Sequence, residues 1–158
     1  MRLAGLRLIP CAADGRPQEP EITLPDTVAG YAAACAELYA RVGFEPPWVS
    51  YLVAAATSDG DAIVGGAAFV GPVTGGCVEI AYYTLPEHEG RGVATFAAAA
   101  LVAIAQASPE RPVITAKTLP ETNASTRILT RLGFVRAGVV QDDDIGDAWL
   151  WRREGRLA

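Results

Sequence analysis

The spacing of apolar and polar positions divides the chain into short strands, helical stripes and the turns between them. Residues 3–10 alternate weakly and predict a first strand, followed by a loop over 11–21 that contains proline and glycine. Val28, Tyr31, Ala32, Cys35, Leu38, Tyr39 and Val42 then recur at the spacing of one helix face. Asp26 stands ahead of that stripe as an N-cap, because its carboxylate can accept hydrogen bonds from the first helical amides. Gly43 stands behind it, where a helix commonly ends on a left-handed residue. After Phe44-Glu45-Pro46-Pro47-Trp48, three runs predict strands at 49–56, 63–70 and 77–84, divided by the turn sequences SDGD and GPVTGG. A helix followed by a three-stranded antiparallel meander is therefore expected in the first half of the chain.

The segment YYTLPEHEGRGVATFAAAALVAIAQA, which begins at Tyr82, organises the second half. It reads as a strand end, a proline turn, a glycine-rich crossing and a helix whose buried stripe is Val93, Ala97, Ala100, Leu101 and Ile104. A helix start leaves its first amides without partners and carries a partial positive charge. Gly90 and Gly92 lack the Cβ that would hold a ligand away from those amides. The combination is a cradle for a phosphate or pyrophosphate group. Two better-known phosphate loops are excluded. A dinucleotide fingerprint needs glycine where Thr95 stands, and a Walker-type loop needs a Gly-Lys-Ser/Thr run, whereas the single lysine of the chain is Lys117.

Residues 112–119 predict the next strand, and a right-handed crossover through the preceding helix makes it parallel to the strand at 77–84. Pro120-Glu121-Thr122-Asn123 supplies a cap for a helix over 124–132, with Ser125, Ile128, Leu129 and Leu132 as its stripe and Gly133 at its end. Strands at 134–141 and 148–153 flank an acidic turn over 141–147. Trp149 and Trp151 share a face of the last strand and predict packing against the core or against a second subunit, which makes a homodimer an expectation.

Composition narrows the function. The chain has 158 residues, 51% hydrophobic and 20% charged, which suits one folded domain over 1–158. No run reaches the roughly 18 apolar residues of a membrane span. Arg7 interrupts any apolar leader, so a cytoplasmic protein without a membrane partner is expected. The net charge of −5 argues against a nucleic-acid partner and would favour the approach of a cationic substrate. Cys11, Cys35, Cys77 and the single histidine, His88, have no metal-ligand spacing, so no metal is expected. The helical stripe makes Cys35 a core residue, and His88 reads as an exposed loop residue beside the cradle.

Glu89-x-x-Gly92-x-Ala94, with Leu85-Pro86 before it and Ala94-Thr95 within it, resembles the Gln/Arg-x-x-Gly-x-Gly/Ala motif of the GCN5-related N-acetyltransferases. The departure is Glu89, a carboxylate where that family prefers Gln or Arg. Its charge is unfavourable beside a pyrophosphate unless it points away or Arg91 offsets it. PETNASTRILTRLGF resembles a second segment of the same superfamily, closest to the branch with the ribosomal-protein N-terminal acetyltransferases, through Ser125, Leu129, Leu132, Gly133 and Phe134. The asparagine of that segment falls at the position of Thr122 in some members and of Asn123 in others.

The resemblance implies a mixed α/β fold of the α+β type. Its central sheet of six to seven mostly antiparallel strands would have a splayed parallel fourth and fifth pair and about four helices. It implies acetyl-CoA as co-substrate, with the pyrophosphate and pantetheine held by Tyr83, Thr84, Leu85, Glu89, Gly90, Arg91, Gly92, Val93, Ala94, Thr95, Asn123 and Ser125. The thioester carbonyl would meet a main-chain N–H near Tyr82 or Tyr83, and an amine acceptor would attack it. Glu79 is the expected base, acting through water. Ser125 or Tyr83 is the expected acid, because the helix over 124–132 has no tyrosine. Acceptor pockets of this superfamily are built from the regions that correspond to 27–48 and 141–147. An idle coenzyme A-binding module and a larger acyl donor stay open as alternatives.

Overall fold

The computed structural model describes residues 3–154. Its strands are β1 (Ala4–Pro10), β2 (Ser50–Thr57), β3 (Gly60–Phe69), β4 (Cys77–Thr84), β5 (Val113–Thr118), β6 (Val135–Asp142) and β7 (Gly146–Arg153). Its α-helices are α1 (Tyr31–Val42), α2 (Val93–Ala107) and α3 (Ala124–Arg131), with single 3-10 turns at Asp26–Val28 and Pro86–His88. The seven strands form one sheet in the order β1-β2-β3-β4-β5-β7-β6, antiparallel except for the central β4–β5 pair. Among the described residues this is the mixed sheet that the sequence predicts, with three α-helices where about four were expected.

The first helix differs most from its sequence pattern. Asp26 opens a 3-10 turn and not α1, which starts five residues later from Gly30 with no side-chain cap. Gly30 has no side chain to accept a hydrogen bond, and glycine is among the poorest helix formers, so it breaks the stripe. The far end behaves as expected: Gly43 adopts a φ of 98° and its N–H donates to the Tyr39 carbonyl at 2.8 Å.

α3 is fixed at both ends by local bonds. The Asn123 side chain accepts from the Thr126 N–H at 3.1 Å, and the Thr126 hydroxyl accepts from the Asn123 N–H at 2.9 Å. This reciprocal box satisfies two amides of the helix start. At the other end the Phe134 N–H returns to the Leu129 carbonyl at 3.0 Å and the Gly133 N–H to that of Thr130 at 3.1 Å, a Schellman closure.

α2 packs over β3 and β4, burying Val93, Ala97, Leu101 and Ala105 against the sheet. Successive residues of a strand point to opposite faces, so Tyr82 faces α3 while Tyr83 faces α1. Trp149 and Trp151 pack against each other, 6.4 Å between ring centroids, and the Trp151 indole N–H donates to the Thr118 hydroxyl at 2.9 Å. Trp151 is buried, and Trp149 is half-buried beneath the Arg136 guanidinium.

Asn123→Ala should lower stability by about 1 kcal/mol, read as a shift of the urea midpoint with the slope unchanged. An unchanged midpoint would show that the box contributes nothing to α3.

Candidate active site

β4 and β5 pair in register over only four positions, from Cys77↔Val113 to Ile80↔Ala116. Beyond Ile80, β4 stays on β3, while Lys117 and Thr118 of β5 pair with β7. The two central strands therefore part, and a gap opens between them. The side of β4 that faces this gap follows from its bonds. The Leu85 N–H donates to Val64 of β3 and the Glu79 carbonyl accepts from Val70, so odd-numbered residues direct their peptide groups to β3. The Tyr82 and Thr84 amides, two and four residues beyond the last paired position, face the gap.

The start of α2 lies at the mouth of the gap. Gly92 is its N-cap with a φ of 86°, and Gly90 has a φ of 75°. An L-residue with a side chain disfavours both conformations, so glycine is what lets the loop turn into the helix here. No side chain caps α2, which leaves its first amides available.

A cleft of about 530 Å³ joins these features. Of the sequence-predicted residues it brings together Tyr83, Thr84, Glu89, Gly90, Gly92, Val93, Ala94, Thr95 and Ser125. Leu85 is buried beneath it, Arg91 lies off its lining, and Asn123 has its side-chain oxygen committed to capping α3. Glu79 is also off the lining, in an ion pair with Lys117 at 3.4 Å, and Lys117 reaches Asp142 at 3.7 Å.

Tyr82, Arg127 and Arg131 also line the cleft, and the two arginines had no signal in the motif. Tyr82 places its hydroxyl 3.1 Å from the Ser125 Oγ. Arg127 and Arg131 extend the cleft along α3, with no acidic partner within ion-pair distance among the described residues. Their placement on one helix edge, at i and i+4 after Asn123, was the available clue. They supply the positive charge that the sequence reading sought in Arg91. His88 contributes a half-buried ring outside the cleft, its Nδ1 without a partner.

A second cavity of about 230 Å³ lies on the opposite face of β4, between α1 and β3. It shares Tyr82 and Tyr83 with the cleft. The ring of Tyr83 lies over Gly66, where a Cβ would stand 2.4 Å from a ring carbon, and its centroid is 6.1 Å from that of Tyr31. Cys35 lines this cavity. Its thiol is lowered to about 7, chiefly by a hydrogen bond from Cys11, while the Cys11 thiol is held above the ordinary range by the same bond and by burial.

A family model described as "Acetyltransferase (GNAT) domain" matches residues 16–135, more than half of the sequence. The chain belongs to that family. It is accordingly an acetyltransferase of the GNAT type, in a family that uses acetyl-CoA. No curated protein matches the chain in sequence. Solved structures of similar shape include a spermidine N-acetyltransferase SpeG chimera from Vibrio cholerae and hSSAT, at a TM-score of 0.66 and 13% identity over 95% of each chain. Mycobacterium smegmatis RimJ in complex with CoA-disulfide is similar at 0.56 and 22%, covering 78% of this chain and 58% of that one. A GNAT-family acetyltransferase from Bacillus anthracis is similar at 0.56 and 20%, covering 67% of this chain and 66% of that one. The match thus spans less than two thirds of the last two. These likenesses establish the fold.

All five tyrosines have their phenols held above the ordinary value, in each case mainly by burial, with Tyr51 and Tyr83 pushed up to about 12. Below about pH 10 the folded and unfolded chains hold the same phenolic protons. Above it the unfolded chain loses protons that the fold retains, so stability falls as pH rises. Ultraviolet titration of the folded protein should show no phenolate step at about pH 10; a reversible step there would contradict the packing of these rings.

Proposed function

We propose that the protein transfers the acetyl group of acetyl-CoA to a primary amine, of a small molecule or a protein N-terminus, by direct attack on the thioester. The parting of β4 and β5 after Ile80↔Ala116, with the uncapped start of α2 at its mouth, carries this reading. Peptide groups of β4 that face the gap would pair with the pantetheine amides as an added strand does. The pyrophosphate would sit at the amides following Gly92, with Arg127 and Arg131 across the cleft.

The acyl carbonyl would lie at the Tyr82 N–H, which points into the gap and can stabilise the tetrahedral oxyanion. As the carbon–sulfur bond breaks, the electron pair goes to sulfur. A coenzyme A thiol has a pKa of roughly 8.5 by analogy with cysteine, so the thiolate leaves readily and needs only modest help. The hydrogen-bonded Tyr82–Ser125 pair is the proton source, because burial keeps the Tyr82 phenol protonated at neutral pH. Tyr83 directs its ring toward α1, which suits it to the acceptor side. Glu79, held by Lys117 on the same face of β4 as Ala81 and Tyr83, would take up the ammonium proton through water.

A second reading, an idle module that binds coenzyme A, draws on Glu89, whose carboxylate is on the cleft lining. Arg127 and Arg131 outnumber that charge, and the Tyr82 hydroxyl supplies the phenol that α3 lacks. Both favour turnover.

Calorimetric titration with acetyl-CoA is the deciding measurement. The wild type should bind, Gly92→Glu should lose binding, and Arg131→Glu should weaken it at least tenfold while circular dichroism stays unchanged. Absence of binding to the wild type would overturn the proposal. Binding without thiol release in the presence of any amine would leave the idle module. Ser125→Ala should lower kcat by about tenfold, below the full range for general acids because the leaving group is good, with the affinity for acetyl-CoA within a factor of two or three. An unchanged kcat would remove Ser125 from the proton path.

A further inference from the structure

The cavity between α1 and β3 meets the cleft only at β4, through the neighbouring residues Tyr82 and Tyr83. A nucleophile seated in the cavity would therefore face an acyl carbonyl at the Tyr82 amide from the side opposite α3. We infer that the acceptor taken at this cavity is a primary amine bearing one compact apolar group, not a polyamine. The inference rests on the acetyl-transfer reading above and adds to it the class of substrate.

Size and lining both point that way. At about 230 Å³ the cavity is smaller than the roughly 300–1,000 Å³ of sites that take drug-sized ligands, so it holds one side group. Its walls are the Tyr31 and Tyr83 rings, Leu38 and short residues such as Ala34 and Ala81, with no carboxylate, lysine or arginine on the lining. Tyr31 presents its ring and not its hydroxyl, which donates to the Tyr51 carbonyl at 2.9 Å. The Cys35 side chain on the lining is a buried thiol.

The further ammonium groups of a polyamine would meet no carboxylate on this lining, and any drawn into it would lose water without compensation. An apolar group loses nothing by leaving water and gains contact with the rings. Glu79, on β4 two residues from Ala81, and Asp142, at the end of β6, both pair with Lys117. Likeness in fold to a spermidine N-acetyltransferase does not extend to these walls.

Ala34 gives a clean probe, because it lines the cavity on the exposed side of α1 and is absent from the cofactor cleft. Thiol release from saturating acetyl-CoA would be measured with 3-methylbutylamine and with spermidine. The apolar amine should show at least a tenfold higher kcat/KM. Ala34→Phe should reduce that value at least tenfold without changing the calorimetric Kd for acetyl-CoA, and Ala34→Asp should shift the ratio at least fivefold toward spermidine. Equal or better turnover of spermidine by the wild type, or no effect of Ala34→Phe, would overturn this inference alone. Bound acetyl-CoA with no thiol release from either amine or from a peptide N-terminus would overturn the transferase reading and this inference with it.

Discussion

A sheet that parts in its middle must leave peptide groups unpaired, and that requirement shapes the rest of this molecule. β4 and β5 hold together over four register positions and then follow different neighbours, β4 keeping to β3 and β5 to β7. Buried amides and carbonyls without partners are costly, so the gap needs water or a ligand with alternating donors and acceptors to complete it. α3 lies across one side, locked by the Asn123–Thr126 box at its start and the Phe134 closure at its end. That rigidity is what places Ser125 against Tyr82. Any ligand that completes the gap binds the folded state alone, and so stabilises the fold by mass action.

Electrostatics at the cleft runs against the protein as a whole. The chain carries a net charge of −5, yet the cleft lining holds two arginines against one glutamate and receives the open end of α2. The positive charge sits on the edge of α3, not in the glycine loop where the motif would place it. Fields of this kind act locally, within about 10 Å at 0.1 M salt. A cofactor phosphate would respond to Arg127 and Arg131, while the acidic surface further away would bear on the approach of a cationic amine.

Strands and helices were legible where a period and its punctuation agreed. The strand at 77–84 coincides with β4, and the cap and closure of α3 were written in Asn123 and Gly133. The start of α1 was not, because Asp26 is a good cap in the wrong place and Gly30 resets the helix four residues after it. Two adjacent tyrosines are indistinguishable to a pattern of period two until the pairing partner of β4 is known. Here the Leu85–Val64 bond shows which amides face the gap, that of Tyr82 and not that of Tyr83. The Glu79–Lys117 ion pair joins residues 38 apart in sequence, and no spacing rule links them.

The pairing of Gly66 with Tyr83 ties the two cavities to one register. A Cβ on Gly66 would stand 2.4 Å from the Tyr83 ring, and a one-residue slip toward Ala67 would put a side chain under it. The same slip would exchange the faces of every residue on β4, sending the Tyr82 hydroxyl away from Ser125. In the observed register the Tyr82 hydroxyl meets Ser125, while the Tyr83 ring lies over Gly66. The two faces of β4 thus carry one tyrosine each, the Tyr82–Ser125 pair on one side and the Tyr83 ring that walls the second cavity on the other.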